Sequence, residues 1–112
     1  MIRITDILEK VSSYIKEPDL ALIQGAYVFS ARAHAGQVRL SGEPYLMHPL
    51  EVAYILAEMH LDEASVAAGL LHDTVEDTKA TVEEIDELFG ENVADIVDGV
   101  TKISKIVFDS RM

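Results

Sequence analysis

His72, Asp73, Glu76 and Asp77 fall within six residues of an otherwise apolar helical run, Leu70-Leu71-His72-Asp73-Thr74-Val75-Glu76-Asp77. Charged groups in an apolar setting are costly unless they are paired or bound to a metal. Residues three or four apart share a helix face, so His72 lies over Glu76, and Asp73 lies over both Glu76 and Asp77. His72 and Asp73 are about 100° apart around the axis, and both can reach one ion beyond the helix surface. A second imidazole, His48, opens another predicted helix and can approach from the opposite side. Two imidazoles and one carboxylate suit Mn, Fe, Zn or Co better than Ca. Glu76 and Asp77, one turn on, are placed to handle protons or orient a water whose pKa the ion has lowered. The chemistry these residues suit is metal-assisted hydrolysis of phosphate esters. They also admit a plainer reading, in which His72 bonds a backbone carbonyl and Glu76-Asp77 is a solvated helix end.

The elements that position these groups read as six helices and no strand, an all-α bundle in a single domain over residues 1–112. The first is expected from about Thr5 to Ile15, with Ile4, Ile7, Leu8, Val11 and Ile15 in one stripe. Glu17-Pro18-Asp19 breaks it and starts the second. Leu20, Ile23, Ala26, Tyr27, Ser30 and Ala33 form the second helix's face, and Gly36 is expected to end it. Gln37 to Met47 reads as an ordered loop. His48-Pro49 opens the third, whose apolar face is predicted to be Val52, Ile55, Leu56 and Met59 with Ala53 beside them. Asp62 is the expected N-cap of the fourth, a small-residue central helix carrying the His-Asp cluster. Thr81-Val82-Glu83-Glu84 is a capping box for the fifth, which stops at Gly90. Val93, Ile96, Val97, Val100 and Ile103 pattern the sixth.

Composition narrows the partners. Twenty acidic residues against nine Lys and Arg give a formal net charge of −11. That argues against binding DNA or any nucleic-acid backbone, which needs clustered cations. It also opposes an anionic substrate, unless a bound divalent cation reverses the charge locally. Cysteine is absent, so disulfides and thiolate metal sites are excluded. No apolar run approaches the roughly 20 residues needed to span a bilayer, and the N-terminus reads as a helix start. The expectation is a cytoplasmic protein with no membrane partner.

Arg39-Leu40-Ser41-Gly42-Glu43-Pro44-Tyr45-Leu46-Met47-His48-Pro49-Leu50, then Gly69-Leu70-Leu71-His72-Asp73-Thr74-Val75-Glu76-Asp77-Thr78, resemble the hydrolase domain of the RelA/SpoT family. Asp98-Gly99-Val100-Thr101-Lys102-Ile103 also matches, and the similarity runs from about Ile4 to Lys105. The resemblance implies an HD-type, all-helical, metal-dependent phosphohydrolase that removes the 3′-pyrophosphate of the guanine nucleotide (p)ppGpp. Carried over by position, it implies Mn²⁺ on His48, His72 and Asp73. Glu76 and Asp77 become the pair that activates water or assists the leaving group, and Arg39 and Ser41 become nucleotide-loop contacts. Leu40 stands where the family often has Lys. The family's fourth metal ligand, an Asp on a later helix in a segment that also supplies an Asn, has no match. Asp86, Asp95, Asp98 and Asp109 lie in other contexts, and the matching segment is expected beyond Met112. The expectation is therefore a domain lacking its last helices, impaired in metal binding and hydrolysis. The surface so opened would favour association between copies. A non-catalytic regulatory module, or an HD phosphohydrolase for another nucleotide, are the alternatives. His34 is expected to pack or cap, and His60 to complement a helix C-terminus.

Overall fold

The computed structural model describes residues 1–37, Gly42 and residues 46–111, with side chains described as far as Ile103. Six helices follow one another: α1 (Ile4–Tyr14), α2 (Leu20–Ala33), α3 (Met47–Glu58), α4 (Glu63–Asp77), α5 (Val82–Phe89) and α6 (Glu91–Arg111). No strand occurs among the described residues. The all-helical expectation holds, and α6 continues past the predicted Ile103.

The helix ends follow local chemistry. The Asp6 carboxylate accepts the Arg3 N–H at 2.8 Å and satisfies a donor that α1 leaves open. Asp62 caps α4 by accepting from the Ser65 N–H at 2.9 Å, as the sequence predicted. Thr81 accepts from the Glu84 N–H at 3.2 Å and donates its hydroxyl to the Glu84 carboxylate at 3.3 Å. α2 ends at Ala33, three residues before the predicted stop at Gly36, with His34 as its C-cap. α3 ends in a Schellman turn: the His60 N–H donates to the Ala57 carbonyl and the Leu61 N–H to the Leu56 carbonyl. His60 holds the left-handed position at φ 60°, which glycine usually fills. Its ring stacks on Tyr14, with centroids 4.4 Å apart. The Tyr14 hydroxyl donates to the Leu61 carbonyl at 2.6 Å, so one aromatic ties α1 to the α3–α4 turn.

α4 is the axis of the bundle and packs against α2, α3 and α6. Its residues from Val66 to Leu71 are all buried. Ile7 and Val11 of α1, Ile23 and Ala26 of α2, Ile85 of α5 and Val93 and Val97 of α6 complete the core. Each large aliphatic buried in this way contributes about 1.5–3 kcal/mol. Phe29 and Phe89 meet edge to face, centroids 5.7 Å apart, and join α2 to α5.

The predicted apolar face of α3 is corrected. Ile55 and Met59 are 54% and 63% exposed. The buried stripe is Leu50, Ala53 and Ala57, and the small alanines face α4. Ala53 and Leu56 of the predicted face do pack inward, whereas Ile55 and Met59 do not, because helices that approach closely select small side chains. The approach is close at Gly69, where an added Cβ would stand 2.7 Å from Leu56 Cδ1 and 3.4 Å from Ala53 Cα. On α6, Val100 and Ile103 of the predicted stripe are also exposed, at 37% and 62%.

Replacing Gly69 with valine overpacks this contact, so that Leu56 and the facing turn of α3 must shift. Overpacking of this kind costs about 1–3 kcal/mol, so G69V should lower the urea midpoint without changing the slope of the transition.

Candidate metal centre

The site begins where α3 and α4 face each other. His48 stands in the first turn of α3, and His72 and Asp73 in the C-terminal half of α4. The His72 Nδ1 donates to the Gly69 carbonyl of its own helix at 2.8 Å. This is the carbonyl bond of the plainer reading, and it also fixes the tautomer. In the neutral ring the proton sits on Nδ1, which leaves the Nε2 lone pair as the one that could meet an ion. Metal-binding histidines commonly hold their other nitrogen in this way. Nε2 lies 2.9 Å from Asp73 Oδ1, and Asp73 Oδ2 lies 3.7 Å from His48 Nε2. The two imidazole rings meet edge to face, centroids 5.7 Å apart.

One donor atom from each of His48, His72 and Asp73 lies within 4.8 Å of the others. Ligands about 2.1 Å from a shared ion stand roughly 3–4 Å from one another, and the two histidine–carboxylate separations, 2.9 and 3.7 Å, lie close to that range. Accessibility falls from His48 to His72 to Asp73, with side chains 37%, 18% and 13% exposed. The shielded carboxylate is thus the anchor, and the open imidazole is the mouth. The donor set fits a divalent transition metal. Among the described residues this is the one cluster with such spacing.

Charge prepares the same site. Burial works against an ionised Asp73, but its bond to His72 and the charges of His72, His48 and His34 hold its carboxyl below the ordinary value. Burial likewise opposes a charged His72, yet Asp73, the Gly69 carbonyl and the charge of Glu76 together raise it above its ordinary value. In the metal-free protein the raised histidine adds stability that is lost as pH climbs through its folded pKa. The depressed aspartate adds stability that is lost as pH falls through its own. The pair is therefore worth most between the ordinary values, 3.8 and 6.5.

The remaining predicted residues are placed less uniformly. Glu76 is exposed, and its charge reaches His72. Asp77 is exposed at the C-terminal end of α4, where its backbone carbonyl accepts from Gln37 Nε2 at 3.4 Å. Arg39 and Ser41 lie outside the described residues, as does Leu40. Lys102 pairs with Asp98 at 2.9 Å on α6, a solvated helix pair. The sequence reading set His34 aside as packing or capping. It does cap α2 and is buried, and its charge also reaches Asp73. The one sequence signal for that role was its place just after a buried helical face.

An all-helical bundle that brings His, and a His-Asp pair, onto one point has the architecture of an HD domain. A family model described as HD domain matches residues 26–109. The chain is 66% identical over 95 residues to a GTP pyrophosphokinase of Myxococcus xanthus, covering 85% of this chain and 12% of the relative. It is 48% identical over 107 residues to a guanosine-3′,5′-bis(diphosphate) 3′-pyrophosphohydrolase of Vibrio cholerae, covering 95% of this chain and 15% of that protein. It is 47% identical over 98 residues to the bifunctional (p)ppGpp synthase/hydrolase SpoT of Escherichia coli, covering 88% and 14%. A solved structure described as a metazoan ortholog of SpoT that hydrolyzes ppGpp superposes with a TM-score of 0.70 at 35% identity, over 78% of this chain and 51% of the other. The chain belongs to the HD-domain family, in its RelA/SpoT group. It spans about an eighth to a seventh of the curated relatives named here. No described helix is long and apolar enough to cross a membrane.

A metal must displace the proton from His72, and that proton is held more tightly than in free histidine. Mn²⁺ affinity should therefore fall as pH drops, beginning above the ordinary histidine value of 6.5. Asp73→Asn removes the raising partner and the anionic ligand together. It should weaken binding at every pH and move the onset of the fall downward, as read by calorimetric titration across pH.

Proposed function

We propose that this chain is a metal-dependent hydrolase domain that removes the 3′-pyrophosphate from (p)ppGpp to leave GDP or GTP. The observation that carries the reading is the convergence of His48, His72 and Asp73 within 4.8 Å. Relatives named for this hydrolysis, 47–48% identical, support it. So does the charge, because a chain of net −11 meets a polyanion only through a local cation.

His48, His72 and Asp73 would hold the ion, with Mn²⁺ as the proposed metal. A divalent ion bound there supplies charge neutralisation for the substrate phosphates and a water of lowered pKa. Hydrolysis breaks the bond between the ribose 3′ oxygen and phosphorus. Water gives its oxygen to phosphorus and a proton to the departing 3′ oxygen. Glu76 and Asp77 are the proposed carriers of those protons, one taking and one returning. Arg39 and Ser41 are the proposed nucleotide contacts, and an arginine there can stack on the base or grip a phosphate. The buried Thr74, between the proposed ligands and the carboxylates, satisfies its hydroxyl by donating to the Leu71 carbonyl at 2.7 Å.

The described donors number three. With three described donors to hold it, a Mn²⁺ ion would be bound weakly by this chain and turnover would be slow. Calorimetry should give a shallow Mn²⁺ isotherm, and a sharp stoichiometric break would contradict that expectation.

The activity test is pyrophosphate release from ppGpp and pppGpp with Mn²⁺, beside guanine and adenine nucleotides bearing only 5′ phosphates. Release should need the 3′-pyrophosphate and the metal. His72→Ala should lower it by about a hundredfold or more, since disturbing even an outer partner of a metal ligand costs 10–100-fold. Release that persists undiminished in H72A would remove the metal centre from the reaction. Release from 5′ phosphates alone would assign a different nucleotide.

A further inference from the structure

The C-terminal end of α4 is held from outside its own helix. A helix leaves its last carbonyls without intrahelical donors. The Thr78 N–H and hydroxyl both donate back to the Thr74 carbonyl. The Asp77 carbonyl is instead met by the side chain of Gln37, whose Nε2 donates at 3.4 Å. Gln37 follows α2, and the two residues are forty apart in sequence.

That bond settles the orientation of the amide. A carbonyl only accepts, so Gln37 must present its NH₂ to Asp77 and its oxygen to the other side. On that side the His34 Nδ1 stands 3.1 Å from Gln37 Oε1. The oxygen only accepts as well, so Nδ1 carries a proton and donates. His34 is buried and held by its place as the C-cap of α2, where its own N–H donates to the Ser30 carbonyl at 3.0 Å. The result is a directed chain of ring, amide and carbonyl. It runs from the end of α2 to the turn of α4 that carries Glu76 and Asp77.

We propose that Gln37, oriented by His34, is a positioning residue that fixes the last turn of α4 and with it Glu76 and Asp77 against the metal centre. The proposal rests on the function proposed above, in which those carboxylates move protons. A carboxylate displaced by about 1 Å can lose a hundredfold in rate, so a weak tie of this kind can matter to turnover.

The test uses the whole chain with Gln37→Met and Gln37→Glu. Methionine has similar length and makes neither bond. Glutamate still accepts from His34 but has no proton for the Asp77 carbonyl. Both variants should raise amide hydrogen exchange at Glu76, Asp77 and Thr78 while exchange at Val66 to Leu71 is unchanged. Both should lower kcat by about tenfold with KM and Mn²⁺ affinity retained. His34→Leu should raise exchange at the same three amides. If it fails to fold, the two Gln37 variants decide. Wild-type exchange and kcat in both variants would overturn the proposal. So would a higher KM at full kcat, which would place Gln37 with the nucleotide loop instead. A Q37E variant that behaves as wild type while Q37M does not would leave only the His34 bond as its role. Should the wild-type chain hydrolyse no nucleotide, the function fails, and raised exchange alone would still establish the tie.

Discussion

The structure depends most on one residue that has no side chain. Gly69 lets α3 and α4 approach until an added Cβ would meet Leu56 and the Ala53 backbone. That approach sets the distance between His48 on α3 and the His72-Asp73 pair on α4. The same residue's carbonyl receives the His72 Nδ1 at 2.8 Å and turns Nε2 towards Asp73. Helix spacing and ring orientation are therefore both set at this position, the first by the absent side chain and the second by the backbone carbonyl.

The charges near this contact show why the cluster is tolerable. A carboxylate that is 13% exposed is unfavourable by itself. Three imidazoles, His72, His48 and His34, act on it, and together they offset its desolvation. One donor atom from each of His48, His72 and Asp73 lies within 4.8 Å of the others. In a chain carrying −11, such a pocket is also a place where a cation can concentrate. The RelA/SpoT membership and the geometry are thus in accord.

Different parts of the chain were legible to different degrees. Helix number and most boundaries followed from caps and breakers: Asp62 and Thr81 cap as their types predict, and Gly90 ends α5 with φ 97°. The His-Asp spacing pointed to a site because local geometry on a helix is fixed by sequence separation. The α3 face was legible in part: Ala53 and Leu56 pack inward and Ile55 and Met59 do not, because hydrophobic bulk marks burial in general but not the partner that a helix packs against. His60 was recognised as a helix-end residue but not as the left-handed closure of α3. Its stack on Tyr14 comes from another helix, and no local pattern announces it.

What the sequence determined by itself was local: where helices start and stop, which helix is small enough to be central, and which residues share a turn. These follow from interactions within about four positions, whose geometry the backbone fixes in advance. The tertiary structure alone decided that alanines rather than Ile55 and Met59 face α4. It also decided that His48 comes within 3.7 Å of Asp73, and that Gln37 reaches a carbonyl forty residues away. Those outcomes depend on close packing between elements distant in sequence, where complementary shape and not composition selects the contact.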